Sequence, residues 1–306
     1  MDNGRGVGRV FTLLGLAIAA ALVWIALTTL WLWRNQERVV FQPPIAGADT
    51  PTPAQRVAYS ASDGHPIFGY LVQPREDARD ASARAERSVV VAFHGNADLA
   101  IWLIPWAHEL AQRAQVSVLL PEYRGYAGIP GTPTYESAEA DARGAVQFTR
   151  ATLRPSRVVL FGHSLGTAIA AHLAETMAPQ FPDALVLQSP FTSAREMAAR
   201  MLVPPIPWLW RRISRVHYDT RAVVARLNTP VFVAHGTRDV AIPSRMGRQV
   251  FAAARRPGQL LIVNGAGHND VPDVGGERYW QWLTDAVSHQ RQASSVPNVT
   301  HQTLDD

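Results

Sequence analysis

The sequence predicts an α/β fold with a mostly parallel sheet covered on both faces, and three observations carry that reading. From Ser88 onward, short apolar runs rich in Val, Leu and Phe alternate with longer stretches of helical periodicity. The runs are continuously apolar rather than alternating, as strands buried on both faces must be. Between one such run, Val158 to Phe161, and the Ala-rich helical pattern from Leu165 to Met177 lies Gly162-His163-Ser164-Leu165-Gly166. A serine between glycines at a strand-to-helix junction is the nucleophile elbow pattern G-x-S-x-G. The glycines have a steric task there, because the turn is strained and the helix must pack close to neighbouring strands.

At 306 residues with 47% hydrophobic content the chain can bury one large core. The net charge is +4 with a pI near 9.8, and every one of the 29 basic residues is arginine. These arginines are scattered rather than grouped into a stripe, so no nucleic-acid partner is expected. The lack of lysine excludes a P-loop, a Schiff-base lysine and a kinase-type phosphate lysine, and a Cys count of 0 excludes thiol chemistry. Serine, histidine and carboxylate chemistry remains, with no metal and no cofactor expected, since no H-E-x-x-H or comparable spacing occurs.

In chain order, residues 1–9 form a flank carrying Arg5 and Arg9, and 10–33 form an uncharged run of about two dozen residues, enough to cross a hydrocarbon core of roughly 30 Å. Trp31 and Trp33 followed by Arg34 read as an interfacial belt. A cleaved signal peptide competes, through the small residues Ala19 to Ala21, but the apolar run continues well past them. Arginines nearly balance across the span, and the terminal amine tips the orientation toward a single-pass anchor with the globular domain on the non-cytoplasmic side. Residues 34–56 read as a linker, 57–288 as the catalytic domain and 289–306 as a disordered tail. Within the domain, Arg56 to Ser60 and Pro66 to Val72 form a hairpin across Ser62-Asp63-Gly64, and the charge-dense stretch 75–87 is an exposed loop. Strands are then expected at Val89 to Phe93, Val116 to Leu120, Val158 to Phe161, Ala184 to Gln188, Val231 to Ala234 and Leu260 to Val263. The intervening helices are Leu99 to Ala114, Tyr135 to Leu153, Leu165 to Met177, one near Ser244 to Ala254, and a last one from about Gly276 to His289.

Ser164 needs a base, and the base needs a carboxylate to hold its tautomer. His268, in a glycine-rich loop after the last strand, and Asp239, after the penultimate one, are the leading candidates. Both lie at carboxyl ends of strands, where ligands and catalysts gather in parallel sheets. The order Ser, Asp, His is the one such folds use. Asp239 could instead cap a helix near Ser244, and Asp270 and Asp273 compete as the carboxylate. Backbone N–H groups of Asn96 and Leu165 are the expected oxyanion donors. His94 and His235 are read as orienting their loops, and His163 and His172 as elbow and core histidines.

Over residues 57 to 288 the sequence resembles the α/β-hydrolase superfamily, and within it the membrane-anchored, bud-emergence-type serine hydrolases of the serine aminopeptidase-like branch. The resemblance rests on Phe93-His94-Gly95-Asn96-Ala97, Glu122-Tyr123-Arg124-Gly125-Tyr126, Gly162 to Gly166, His235-Gly236-Thr237-Arg238-Asp239 with Ile242-Pro243, and Gly267-His268. The segment Val39-Val40-Phe41-Gln42-Pro43 after the span is also similar. It implies Ser164, Asp239 and His268 as the triad. Glu122 and Ala127 depart from the family's usual Asp and Gly, and both are expected near the mouth, where they bear on substrate fit.

The irregular stretch 190–221 corresponds to a cap, in which Met201, Trp208 and Trp210 are expected to face acyl chains or a bilayer, with Arg211 and Arg212 near phosphates. The expected activity is hydrolysis of an ester or thioester, including a lipid-like one, through an acyl-enzyme on Ser164. A serine peptidase and a non-catalytic binding protein on the same fold are the alternatives.

Overall fold

In a computed structural model, residues 3–44, 52, 54–75, 88–177, 181–201, 208, 210, 212, 214 and 218–289 are described, without the side chains of 3–7 and 201. An eight-stranded sheet has the order β1-β2-β4-β3-β5-β6-β7-β8. Its strands are β1 Gln55–Ser60, β2 Pro66–Val72, β3 Ser88–Phe93, β4 Ser117–Pro121, β5 Arg157–His163, β6 Ala184–Gln188, β7 Val231–Gly236 and β8 Pro257–Val263. The first hairpin joins antiparallel, β1 to β2 and β2 to β4, and all pairings from β4 to β8 are parallel. The parallel strands β3 to β7 are buried almost throughout, which is why they carry no polar alternation.

The helices are α1 Asn3–Val40, α2 Ile104–Ala114, α3 Tyr135–Phe148, α4 Leu165–Met177, α5 Ala194–Met201, α6 Thr220–Val224, α7 Ser244–Ala253 and α8 Val271–Ser288. A 3₁₀ turn over Ala100–Leu103 leads into α2, and a π turn over Thr149–Leu153 continues α3. The α3 start is fixed by a capping box, in which Thr134 and Ser137 exchange side-chain and backbone hydrogen bonds. The last helix opens at Val271, where Pro272 suits a first turn that needs no amide donor, breaks at Gly276 (φ +50), and from there runs on as the helix its periodicity marks.

The apolar run 10–33 is the middle of a longer helix. Residues 34–40, read as linker, continue α1 past an irregularity at Asn35. There the Asn35 amide donates to the Trp31 carbonyl at 2.8 Å, using an acceptor the helix ladder would otherwise take. Upstream of that point α1 is long and apolar enough to cross a membrane, and Leu13, Leu16, Leu22 and Trp24 stand exposed along it. Its foot docks on the domain: Leu32 is buried against Trp210, and the Phe41 ring meets Tyr135 edge-on at 5.4 Å. Residues 76–87 and 290–306, read as a loop and a tail, lie outside the described residues.

Candidate active site

The chain passes directly from β5 through Ser164 into α4, leaving Ser164 at φ +52, a left-handed conformation that costs a non-glycine residue energy. Two contacts hold it there. The Ser164 amide donates to the Gln188 carbonyl of β6 at 3.0 Å, and the flanking glycines leave no room for relaxation. A Cβ on Gly162 would strike the Gly166 carbonyl, and one on Gly166 would strike the Phe93 carbonyl of β3.

His268 reaches over from the β8 loop. Its Nε2 lies 2.9 Å from Ser164 Oγ and its Nδ1 lies 2.7 Å from Asp239 Oδ2. The carboxylate fixes the tautomer: Nδ1–H donates to Asp239, leaving Nε2 to accept from the serine hydroxyl. The second oxygen of Asp239 accepts from the Ile242 amide at 2.7 Å, so Asp239 closes a tight turn before α7 rather than capping it; Pro243 occupies the cap position. Buried His235 sets its Nε2 2.8 Å from the Ile242 carbonyl and 3.2 Å from Asp239 Oδ2. Burial opposes ionisation of Asp239, but hydrogen bonds from His235, His268 and Ile242 outweigh it and hold the carboxyl far below the usual range. Asp270 is otherwise engaged, accepting from the Gly267 amide at 2.6 Å, and so shapes the histidine loop. His163 Nε2–H donates to the His268 carbonyl, 3.2 Å away; burial first, then the neighbouring His268, lowers its pKa to about 4, so it is neutral.

Opposite Ser164 runs the loop after β3. Asn96 lines the cleft, and its Oδ1 accepts from the Gln42 amide at 2.8 Å and the Tyr126 hydroxyl at 3.0 Å. Leu165 opens α4, in the first turn of which backbone amides lack intrahelical partners. Glu122 is not at the mouth. It is fully buried under this loop, with Oε1 2.8 Å from His94 Nε2 and Oε2 accepting from the Ala100 amide at 3.0 Å. Ala127 adopts φ +48, the left-handed region that suits glycine, and borders a shallow groove beside β1 and β2 instead of the catalytic cleft. Arg124 ties the same segment down through Asp141 at 2.6 Å and Asp63 at 2.9 Å, and its hydrogen bond lowers the Asp63 pKa to about 2.

The cleft measures about 720 Å³, within the range of small-molecule sites. Trp102, Leu103, Pro105, Trp106, Phe161 and Trp280 give it an apolar wall, while Asp98 and Asp273 stand at its polar part. The wall is braced by a relay from Trp106 Nε1–H to Tyr279 Oη at 3.0 Å and from Tyr279 O–H to Gln188 Oε1 at 2.7 Å. Sequence reasoning missed this wall, since α2 and α8 meet only in three dimensions. The cap tryptophans do not line the cleft. Trp210 is buried against Leu32 because that pairing removes two large apolar side chains from water, and Trp208 is exposed with the Arg212 guanidinium 4.8 Å from its ring centre. The Met201 side chain and Arg211 lie outside the described residues. His172 is half-buried on α4, 3.3 Å from Glu139, and so is a surface pair instead of a core residue. Among the described residues no group of three or more His, Asp or Glu is arranged to hold a metal.

A parallel sheet with a strained serine after β5, a carboxylate after β7 and a histidine after β8 defines a hydrolase. The comparisons agree: the chain belongs to the α/β-hydrolase superfamily. The family described as serine aminopeptidase, S33, matches residues 84–223. The uncharacterised protein Rv2307c of Mycobacterium tuberculosis is 34% identical, covering 81% of this chain and 85% of that protein. The α/β-hydrolase domain-containing protein 17B of Homo sapiens is 31% identical, over 64% of this chain and 65% of its own length. Among solved structures, the Pyrococcus furiosus esterase Pf2001 shares the fold at a TM-score of 0.59 with 16% identity, over 82% of this chain and 100% of its own.

Proposed function

We propose that this chain is a membrane-anchored serine esterase acting on acyl esters or thioesters, with Ser164 as nucleophile, His268 as general base and acid, and Asp239 as the orienting carboxylate. The observation that carries the reading is the continuous hydrogen-bonded line Ser164 Oγ, His268, Asp239, at 2.9 and 2.7 Å. Ser164 Oγ bonds to the substrate carbonyl carbon while its proton moves to His268 Nε2. The oxyanion so formed is met by the amides of Asn96 and Leu165, each such donor being worth about 10²–10³-fold in rate. His268 then gives the proton to the departing alcohol or thiol, leaving an acyl-serine. Water, deprotonated by the same nitrogen, attacks the acyl carbon, and the proton returns to Ser164 as the acid leaves. The tryptophan wall favours an apolar acyl portion. The helix α1 supplies the anchor, with the domain on the non-cytoplasmic side; a reporter fused at the C-terminus tests that side.

A second reading has one observation behind it. Asp98 and Asp273 in the cleft could hold a free amine, as an aminopeptidase requires. Labelling of the full chain with a fluorophosphonate probe, followed by turnover of p-nitrophenyl esters of increasing chain length and of amino-acid p-nitroanilides, separates the possibilities. Ser164-dependent labelling with ester turnover supports the esterase, and anilide preference supports the peptidase. No Ser164-dependent labelling of folded protein removes both and leaves a binding protein.

A further inference from the structure

Apart from those on α1, the large apolar side chains exposed among the described residues are Trp102, Trp208, Val240 and Val274, at 51%, 62%, 92% and 47%. Each lies on a segment leaving the carboxyl end of a parallel strand: after β3, β6, β7 and β8 in turn. Trp102 lines the catalytic cleft, and Val274 follows Pro272 and Asp273, which also line it. Apolar exposure is thus gathered on the edge where the cleft opens, where water would otherwise be ordered at a free-energy cost.

The foot of α1 stands on this same edge. Leu32 is buried against Trp210 after β6, Phe41 packs on Tyr135 after β4, and Gln42 donates to Asn96 after β3. From Val10 to Trp33 the helix rises roughly 36 Å at about 1.5 Å per residue, against a hydrocarbon thickness of about 30 Å. Leu32 therefore sits at the interfacial level of a bilayer that α1 spans, and Trp210 touches it with no intervening linker. Trp208 and Arg212 flank Trp210 by two residues on either side, an indole stacked under a guanidinium, which is chemistry suited to the headgroup layer. Resting on the reading of α1 as a membrane span, we propose that the carboxyl edge of the sheet docks on the lipid surface through Trp102, Trp208, Val240 and Val274. The cleft mouth then opens onto the bilayer, so that an acyl ester enters from lipid without crossing water.

Because the chain contains no cysteine, single nitroxide labels can be placed cleanly on the full-length protein. Leu16→Cys reports the span, Val240→Cys and Val274→Cys report the mouth, and Ala151→Cys reports the opposite edge, in the exposed turn just before β5. Each is reconstituted in vesicles of phosphatidylcholine with a minority of phosphatidylglycerol. Accessibility to oxygen and to a water-soluble nickel chelate is then compared. The expected result is oxygen preference at positions 16, 240 and 274 and nickel preference at 151. If the label at 16 prefers oxygen while 240 and 274 match 151, the docking is wrong and the anchor stands. Nickel preference at 16 overturns the anchor and the docking together, and shielding of 240 and 274 from both reagents overturns lipid as the occupant in favour of protein.

Discussion

The Nε2 atom of His94 lies 2.8 Å from Oε1 of Glu122, and neither residue has any exposure to solvent. The other ring nitrogen of His94 faces the Gly95 carbonyl at 2.8 Å, so both nitrogens meet acceptors, which favours the imidazolium. Burial pulls the His94 pKa down, but the charge and hydrogen bond of Glu122 more than reverse this and raise it above 6.5. Truncation in Glu122→Ala is expected to cost about 3–5 kcal/mol, the usual penalty for stranding one member of a buried pair. Glu122→Gln should cost less and show the linkage. The histidine's raised pKa contributes stability that is complete below its unfolded value near 6.5 and is lost as pH rises through its folded value. Urea melts from below pH 6.5 to well above it should show the wild-type advantage over Glu122→Gln shrinking with rising pH. An advantage that grows instead would show that His94 is neutral.

The second prediction concerns the loop above that pair. Asn96 Oδ1 takes hydrogen bonds from both the Gln42 amide and the Tyr126 hydroxyl, tying the loop to the foot of α1. Asn96→Ala removes the shared acceptor and lets the proposed oxyanion donor drift. The expected loss is in kcat, roughly 10-fold and bounded by the 10²–10³-fold of deleting a donor outright, with KM nearly unchanged. Asn96→Asp keeps the acceptor and should restore most of kcat. Steady-state kinetics on a p-nitrophenyl ester decide it, and a rise in KM at constant kcat would place Asn96 in substrate binding instead.

Much of this architecture was legible in the chain because its signals are local. Periodicity marked β3 to β8, and glycines fixed the elbow, since a strained turn and a close helix approach each demand a missing Cβ. Placement at strand ends brought Ser164, Asp239 and His268 forward without knowing their distances. What stayed hidden depends on contacts between distant segments. Trp106 and Trp280 reach one wall through α2 against α8, Glu122 turns inward to His94, and Trp210 faces α1 rather than the cleft. Trp210 was hidden for the same reason: an aromatic pair in sequence does not reveal which of its members a helix elsewhere will cover.

A third prediction tests the elbow sterically. Gly166→Ala drives a methyl group into the carbonyl of Phe93, which belongs to the neighbouring strand and cannot rotate away. Overpacking against backbone should destabilise by about 3 kcal/mol or more. Gly128→Ala is the control for simple loss of glycine, since a Cβ there meets nothing within 4 Å although φ is +77; it should cost only about 1–2 kcal/mol, the strain of the left-handed region. Denaturant melts compare the two, and equal losses would mean that backbone conformation, not close approach, explains Gly166.

The fourth prediction follows from the three donors on Asp239. His268 and His235 share Oδ2, while Ile242 occupies Oδ1. Asp239→Asn keeps the shape of the side chain but presents an amide where His268 Nδ1–H needs an acceptor, favouring the wrong tautomer and removing the basic nitrogen from Ser164. Turnover should fall about 10⁴-fold in kcat if the group orients a catalytic histidine. Stability gives a second readout. The depressed carboxyl stabilises the fold above its ordinary value of 3.8, and that contribution is lost as pH falls through the lower folded value. The wild-type stability advantage over Asp239→Asn should therefore be full near neutral pH and fade only in strong acid. His235→Gln removes one donor without touching His268, so its acid sensitivity should begin at higher pH than in the wild type while most turnover is retained. If His235→Gln instead abolishes turnover as Asp239→Asn does, His235 is needed to hold the carboxylate against His268 and the line from Ser164 to Asp239 is not self-supporting.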